Sequence, residues 1–288
     1  MRHEYGGLWT RKKLEILEYY LKFYSTALRK YFYIHYVDAF AGTGKQSKKT
    51  TKEQTELLPL EDLKGSVLTA LDAQPGFNEY HFNDIEPAHY KALEDIKKQY
   101  PKKKISVTNI DANIFVKNFC LSLTQSERAV LFVDPFSTEF NWDSLKFIGS
   151  SRKIDLWLLF PLSATLRMTP KDGLKKRPEW SPKIDALLGT NQWENALYKK
   201  EKHQPPTLDM FGDTLKAPTE ERLNPTELQK WVKKRLMDDA GFSFVADPVM
   251  LTNNNRPMFS FFFAVSNPDE KAWGLAQKVS RDILKKYQ

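Results

Sequence analysis

The sequence predicts a doubly wound α/β fold, in which helices cover both faces of a largely parallel sheet. Five apolar stretches with little polar alternation recur between residues 33 and 160, and helix-like stretches separate them. Near the C-terminus two more apolar stretches, 242–251 and 257–266, flank the Asn-rich connection TNNNRP, which is typical of a hairpin. We therefore expect a mostly parallel sheet with a C-terminal antiparallel hairpin.

The individual elements follow from the periodicity of apolar residues. Strands are predicted at 33–38, 79–84, 104–109, 128–134 and 154–160, and helices at 65–73, 87–99, 111–124 and 141–149. An amphipathic helix at 11–30 precedes the first strand, with Thr10 available as its N-cap. A helix at 225–240 and a last helix from Pro268, with Asn267 as N-cap, complete the prediction.

The length of 288 residues predicts one large domain that spans 1–288 and carries an insertion at about 166–240. After Phe160 the strand and helix rhythm breaks into a Pro- and Lys-rich stretch that contains RPEWSPK and KHQPPTL. A segment this long without clear strands is expected to hold short helices.

The composition restricts the classes of partner. No apolar stretch approaches 18 residues and the N-terminus lacks a signal-peptide centre, so we expect a soluble, cytoplasmic protein without membrane contact. A single cysteine, Cys120, excludes an internal disulfide framework, and its apolar neighbours predict a core position. The net charge of +8 and the lysine runs favour a nucleic-acid partner, DNA or RNA, although solvated surface explains any one run equally well. The candidate substrate-binding residues are Arg167, Lys171, Lys175, Lys176 and Arg177.

The turn after the first strand, DAFAGTG at 38–44, is the first candidate ligand site. Gly42 and Gly44 allow the backbone to approach a ligand without a Cβ in the way, and Asp38 can accept from a cationic amine. A plain strand-to-helix turn also uses glycine. A phosphate-binding loop is excluded, because it would need glycine where Ala39 stands and Ser or Thr where Gln46 stands.

Two further acids follow the second and third strands. Asp84 can accept both hydroxyl groups of a ribose, and the polar stretch 45–64 explains its distance along the chain from the glycine turn. Alternatively Asp84 or Glu86 caps the helix that starts at Pro87. Asp111 either caps the helix that follows it or accepts the exocyclic amine of an adenine ring.

The segment VDPF at 133–136 ends the fourth strand in a rigid corner. If the Asp134 side chain and the Pro135 carbonyl accept the hydrogens of a planar amine, its nitrogen can pyramidalise and attack an electrophilic methyl group. Phe136 would stack on the base. The alternative is a strand-terminating turn with a core aromatic residue. Other catalytic classes lack support, since the five histidines show no metal-ligand spacing in the sequence and no G-x-S-x-G elbow occurs.

The order of DAFAGTG, NDIEP, IDAN and VDPF resembles the Rossmann-like S-adenosylmethionine-dependent methyltransferases. Together with GSVLTAL, DLWLLFP and the leading WTRKKLEILEYYLKFY, it resembles more closely the three-Cys-motif partner protein family. The resemblance covers most of residues 8–165 and the closing hairpin, but it is poor over 166–240. Members of that family are bacterial methyltransferase-like proteins, often encoded beside a three-cysteine-motif protein that resembles radical S-adenosylmethionine enzymes.

The resemblance implies S-adenosylmethionine as cofactor and assigns roles to the acids. It carries Asp38, Gly42 and Gly44 to the methionine end, Asp84 to the ribose and Asp111 to the adenine, and Phe40 joins the predicted cofactor-binding residues. Asp134, Pro135 and Phe136 match the D-P-P-[FY] element of adenine-N6 methyltransferases, except that the second proline is absent.

We therefore expect a methyltransferase that acts on an amino group of nucleic acid, with adenine N6 favoured. One alternative is a non-catalytic S-adenosylmethionine-binding subunit that docks on the three-cysteine-motif partner protein. Another is an NAD-dependent oxidoreductase, which the inserted stretch after Gly44 and the VDPF segment disfavour.

Overall fold

The computed structural model describes residues 8–44, 65–170, 178–199 and 221–285. Within them the strands are β1 (Tyr33–Asp38), β2 (Glu79–Asn83), β3 (Ile105–Thr108), β4 (Glu127–Val133), β5 (Ile154–Phe160), β6 (Tyr198–Lys199), β7 (Glu221–Arg222), β8 (Phe244–Val245), β9 (Val249–Asn253) and β10 (Arg256–Val265). In the main sheet the order is β3-β2-β1-β4-β5-β10-β8, and β9 also pairs with β10. Strands β6 and β7 form a separate small ladder.

The five N-terminal strands of the main sheet are parallel, and their order reverses at β1. β1 pairs with β2 on one side and with β4 on the other, so the chain winds outward in both directions from this point. In open α/β sheets ligands bind beyond the carboxyl ends of the strands at such a switch point. The fold is the predicted Rossmann-like α/β class.

Helices cover both faces of the main sheet. They are α1 (Leu8–Leu28), α2 (Ser66–Asp72), α3 (Pro87–Gln99), α4 (Ala112–Ser122), α5 (Trp142–Ser151), α6 (Leu162–Met168), α7 (Ser181–Leu188), α8 (Trp193–Leu197), α9 (Pro225–Asp238) and α10 (Glu270–Lys285). Successive residues of β1 face opposite cores, because side chains alternate along a strand. Tyr36 packs with residues of α1, α2 and α3, whereas Val37 packs with residues of α4 and α5.

The C-terminal hairpin is antiparallel, as the sequence predicts. β10 pairs with β5 along its second half, and Asn254 and Asn255 make the β9–β10 turn with φ values of 48° and 59°. Asparagine tolerates this left-handed conformation better than most residues. The stretch 242–251 forms two short strands rather than one, and the break contains Pro248, which lacks the N–H that a ladder needs.

Two predicted helix starts are wrong. α1 begins at Leu8, so Thr10 lies inside the helix and is buried there instead of capping it. α10 begins at Glu270, two residues after Pro268, because Asp269 Oδ1 accepts the Lys271 N–H at 2.9 Å and so provides the cap. Asn267 Oδ1 instead accepts the Asp269 N–H at 3.0 Å.

The described parts of 166–240 contain α7, α8 and α9 together with short strands. Leu188, Trp193 and Val232 are buried in the same core as Leu131 of β4, so this region packs on the sheet. The domain boundaries and the insertion remain predictions. Among the described residues, no helix combines the length and apolar character needed to cross a bilayer.

Candidate functional site

The turn after β1 is organised around the Asp38 carboxylate. Asp38 is fully buried and accepts the Phe40 N–H at 3.2 Å and the Ser66 hydroxyl at 2.6 Å. These bonds join the end of β1 to the start of α2. Asp38 therefore holds the turn in shape, and direct contact between its carboxylate and a ligand amine stays a prediction.

The pKa of Asp38 is raised to about 7, mainly because the carboxyl group is buried; the Ser66 hydroxyl opposes the shift, and the negative charge of Asp134 adds to it. A carboxylate removed from water favours its neutral form unless a cation or several donors compensate. The turn thus contains a carboxyl group whose charge changes near neutral pH.

The two glycines of the turn have different reasons to be glycine. Both adopt positive φ, 58° at Gly42 and 71° at Gly44. A Cβ on Gly44 would lie 2.4 Å from Ile96 Cδ1, whereas a Cβ on Gly42 would meet nothing within 4 Å among the described residues. A Cβ on Gly44 would therefore force the Ile96 side chain to move, whereas the space beside Gly42 is open to a ligand as far as the described residues go.

Asp84 links the glycine turn to the end of β2. Its Oδ2 accepts the Gly42 N–H at 2.8 Å, and its Oδ1 accepts the Glu86 N–H at 2.9 Å and lies 3.1 Å from His89 Nδ1. Glu86 occupies the N-cap position of α3 but makes no side-chain capping bond, and Asp84 accepts the N–H of Glu86 rather than one from the first turn of the helix. A carboxylate has about four acceptor positions, so this arrangement leaves capacity for a ligand hydroxyl.

Asn83 is a residue that the sequence interpretation missed. It is fully buried beside Asp84, and its amide donates to the backbone carbonyls of Ala39 at 3.2 Å and Ile110 at 3.0 Å. Its Oδ1 accepts the Thr108 hydroxyl at 2.8 Å and the Ile110 N–H at 3.3 Å. This side chain therefore ties the ends of β1, β2 and β3 together. The sequence signal that could have pointed to Asn83 is a polar residue at a strand position where the alternation predicts a buried side chain.

Asp111 caps α4, as one of the two alternatives predicts. Its Oδ1 accepts the N–H groups of Asn113 at 2.9 Å and Ile114 at 3.1 Å. Beside these acids stand two apolar side chains that are exposed to solvent, Ile85 at 62% and Ile110 at 38%. An apolar surface of this kind next to acceptors suits a flat ring that carries an amine.

At the end of β4, Asp134 forms an ion pair with Lys13 of α1. Pro135 is buried, and Phe136 is 92% exposed, so the alternative of a core aromatic residue is wrong. The backbone places this corner beside the turn of β1, because the Ala39 N–H donates to the Phe132 carbonyl at 3.2 Å. The corner presents a carboxylate and an exposed ring at one edge of the sheet.

Lys13 is a second residue that sequence reasoning missed. Only 6% of it is exposed, and its ammonium lies 5.6 Å from the centre of the Phe132 ring. It follows the spacing of the buried face of α1, which includes Leu17 and Tyr20. A lysine on an apolar helix stripe is the signal that could have predicted a buried cation, since charged residues are rarely buried unpaired.

The basic residues predicted to bind substrate are only partly described. Arg167 is exposed on α6, which begins two residues after β5 ends. Lys171, Lys175, Lys176 and Arg177 lie outside the described residues. Their part in substrate binding stays a prediction.

The residues at this edge fit S-adenosylmethionine as the resemblance implies it. Among the described residues the space beside Gly42 has room for a polar chain, Asp84 keeps one acceptor position for a hydroxyl group, and Ile85 and Ile110 offer apolar surface. The fit rests on this combination of space, an acceptor and apolar surface.

A second cluster of titratable side chains lies on β1, β2 and β4. His35 Nδ1 and His81 Nε2 are 3.0 Å apart, although no spacing of histidines in the sequence indicated a pair. Burial lowers the pKa of both rings, and His35 adds to the effect at His81, whose pKa falls to about 4. Elsewhere, Cys120 is buried as predicted, and burial raises the pKa of its thiol to about 12.

Comparison with known proteins finds the fold but no family. No protein-family model matches the chain, and no curated protein matches it. Among solved structures, LPL1258 from Legionella pneumophila str. Philadelphia 1, described under family model DUF519, aligns with a TM-score of 0.54 and 14% identity. The alignment covers 99% of this chain and 94% of that one, and it shows a shared fold.

Other structural neighbours include methyltransferases. One is an S-adenosylmethionine-dependent methyltransferase from Clostridium acetobutylicum ATCC 824, with a TM-score of 0.37, 10% identity and coverage of 89% of this chain and 92% of that one. Another is the N-terminal domain of EvdMO1 with SAH bound, with a TM-score of 0.38, 12% identity and coverage of 86% and 80%. These two likenesses are too weak to carry an argument about function. The resemblance to the three-Cys-motif partner family stays a prediction.

Proposed function

We propose that the protein is an S-adenosylmethionine-dependent methyltransferase that acts on an amino group of nucleic acid, with adenine N6 as the favoured target. The observation that carries the proposal is the corner after β4. There an acid and a ring that is 92% exposed stand directly beside the glycine turn at the switch point of the sheet. A planar amine on an aromatic base needs both an acceptor and a stacking surface.

The residues that would hold the cofactor lie at the ends of the first three strands. Gly42 gives room for the methionine portion, Asp84 accepts from the ribose, and Ile85 and Ile110 contact the adenine ring beside Asp111. When bound, S-adenosylmethionine supplies a methyl group on a positively charged sulfur. The protein's own contribution is to orient the two reactants and to accept hydrogen bonds from the amine.

Asp134 has the role of acceptor for the target amine. As the nitrogen gained a methyl group from the cofactor sulfur it would lose one proton; the Asp134 carboxylate would stabilise the positive charge that develops on the nitrogen and accept that proton. Lys13, on the buried face of α1, forms an ion pair with Asp134 and so balances its charge before substrate arrives. Phe136 gives the base a surface on which to stack.

A polyanionic substrate is supported by charge. The net charge of the chain is +8, and Arg167 is exposed on α6 after the neighbouring strand end. Lys171, Lys175, Lys176 and Arg177 continue the same basic stretch in the sequence. Phosphate contacts of this kind bind DNA and RNA alike, and binding through them weakens steeply with salt.

A second candidate function is a non-catalytic S-adenosylmethionine-binding subunit that docks on a three-cysteine-motif protein. The ion pair between Lys13 and Asp134 favours it, because the acid assigned to the amine already has a buried cation as partner. In that case the pair would be structural.

The two functions are separated by transfer of labelled methyl groups from S-adenosylmethionine to DNA and RNA, measured beside calorimetry with the cofactor. Asp134→Asn should lower turnover at least about 100-fold, the scale of a general acid-base contribution, with cofactor affinity unchanged. Asp143→Asn is the matched control, since the Asp143 side chain is 83% exposed on α5, and it should retain activity.

Each outcome has a distinct meaning. Cofactor binding without methyl transfer to DNA or RNA, in the presence of the three-cysteine-motif partner as well, would favour the non-catalytic function. Full turnover in Asp134→Asn would contradict the assignment of the site. Absence of cofactor binding in the folded wild-type protein would remove both functions.

A further inference from the structure

The second cluster lies within the strand ladders, away from the carboxyl-end site. His35 of β1 is opposite Glu79 of β2 in the parallel register, and His81 follows two residues later on the same face. One ligand atom from each of these three side chains lies within 4.8 Å of the others. His35 Nδ1 is 3.0 Å from His81 Nε2, which is 3.8 Å from Glu79 Oε1. We call His35, Glu79 and His81 the histidine cluster.

The carboxylate of the cluster is held so that one oxygen faces the imidazoles. Glu79 Oε2 pairs with the Lys104 ammonium at 2.7 Å and accepts the Tyr33 hydroxyl at 3.3 Å. Its other oxygen, Oε1, is the one nearest to His81. Such anchoring fixes the orientation of a ligand carboxylate before any ion binds.

A second carboxylate faces the far nitrogen of His35. Glu127 Oε2 accepts the Thr124 N–H at 2.6 Å, and Glu127 Oε1 lies 3.4 Å from His35 Nε2. His35 is 5% exposed, and its Nε2 is buried without a hydrogen bond in the described part of the chain. A metal-bound histidine commonly directs its second N–H at a carboxylate, which sets the tautomer and the ring orientation.

A hydrogen-bonded pair of core histidines is the simpler explanation. It accounts for one nitrogen of each ring, but it does not account for the third donor atom, Glu79 Oε1, which lies beside the same pair of ring nitrogens. Phe119 of α4 packs against both rings, with centroids 5.7 Å from His35 and 5.0 Å from His81. This ring shields the cluster on one side and lowers the local dielectric.

We propose that the histidine cluster binds a divalent transition-metal ion, with Zn²⁺ preferred, through His35 Nδ1, His81 Nε2 and one oxygen of Glu79, with a water molecule as the fourth ligand. Two ligands about 2.0–2.1 Å from a tetrahedral zinc ion are roughly 3.3 Å apart, close to the separation of the two ring nitrogens. Glu127 receives the N–H of His35. The ion joins β1 to β2 and stabilises their pairing, and the site is independent of the proposed methyltransferase function.

The test titrates the chelator-treated, folded protein with zinc chloride against a chromophoric zinc indicator. One equivalent should bind in the wild-type protein. His81→Ala should weaken affinity by more than the roughly 10–100-fold that loss of an outer partner costs, and Glu127→Gln should weaken it by about that amount. His89→Ala is the matched control, because His89 lies at Asp84 and should leave zinc affinity unchanged.

Two further measurements keep the outcome clear. Cobalt chloride should give visible absorption typical of four-coordinate cobalt in the wild-type protein and lose it in His81→Gln, whose folding is checked by circular dichroism. Zinc should raise the melting temperature of the wild-type protein but not of His81→Gln. Absence of a bound equivalent in the folded wild-type protein, or equal affinity in His81→Ala, would overturn the proposal.

Discussion

Two positions of β1, His35 within the strand and Asp38 at its carboxyl end, present different chemistry only three residues apart. At Asp38 the chain leaves the sheet, and the backbone N–H groups of Phe40 and Gly42 hold the carboxylates of Asp38 and Asp84. At His35 the strands continue, and side chains hold each other across the ladder. The first arrangement therefore depends on turn conformation, whereas the second depends on strand register.

Burial acts at both positions in favour of the neutral form. It raises the pKa of Asp38 to about 7 and lowers the pKa of His81 to about 4. The directions are opposite because a carboxyl group is neutral when protonated and an imidazole is neutral when deprotonated. The same desolvation therefore favours a protonated carboxyl group at Asp38 and a neutral imidazole at His81.

The largest expected effect on stability is at the carboxyl ends of the strands, where Asn83 joins β1, β2 and β3. Asn83→Ala removes a buried amide with four hydrogen-bond partners and leaves several of them without a bond. Each unsatisfied buried group costs about 1–3 kcal/mol, so the free energy of unfolding should fall by about 3–5 kcal/mol. Urea denaturation measures this change.

Asn78→Ala is the matched control at the opposite end of β2. Asn78 is half-buried, and its Oδ1 accepts the Ile34 N–H at 2.9 Å. Its loss should cost about 1 kcal/mol. Equal costs for the two substitutions would mean that Asn83 does not integrate the carboxyl ends of the strands.

The same contrast explains what the sequence could predict. Asp38, Asp84 and Asp134 each follow an apolar strand, and parallel strands bring their carboxyl ends to one edge, so this site could be predicted from chain order. His35 and His81 are 46 residues apart, and only the register of β1 against β2 brings them together. Lys13 likewise reaches Asp134 through the packing of α1, which local periodicity does not specify.

A second prediction concerns the two glycines of the turn. Gly44→Ala places a Cβ 2.4 Å from Ile96 Cδ1 at a φ of 71°, which adds steric strain to an unfavourable backbone conformation. We expect a loss of about 2–3 kcal/mol in the free energy of unfolding. Gly42→Ala meets open space at a φ of 58° and should cost about 1 kcal/mol, with a larger effect on cofactor affinity than on stability. If Gly42→Ala unfolds the protein as readily as Gly44→Ala, the proposed division between packing and ligand access is wrong.

The smallest expected effect is a change in how stability depends on pH. The pKa of Asp38 is raised to about 7 in the native protein, whereas the pKa of an unfolded aspartate is about 4. Between these two pH values the native state therefore binds more protons. The free energy of unfolding should therefore fall as pH rises from about 5.5 to about 7, by about 1–2 kcal/mol through this group. Asp38→Asn removes the contribution, and the difference between variant and wild type isolates it.

Asp155, whose pKa is also raised to about 7, mainly by burial, remains in both proteins and contributes to the same fall in stability with pH. Asp155→Asn should therefore reduce the pH dependence independently. If stability depends on pH in the same way in wild type and Asp38→Asn, then the Asp38 carboxyl group is already charged in the native protein at the lower end of this pH range. Lys13 would then compensate the charge of the buried carboxylate.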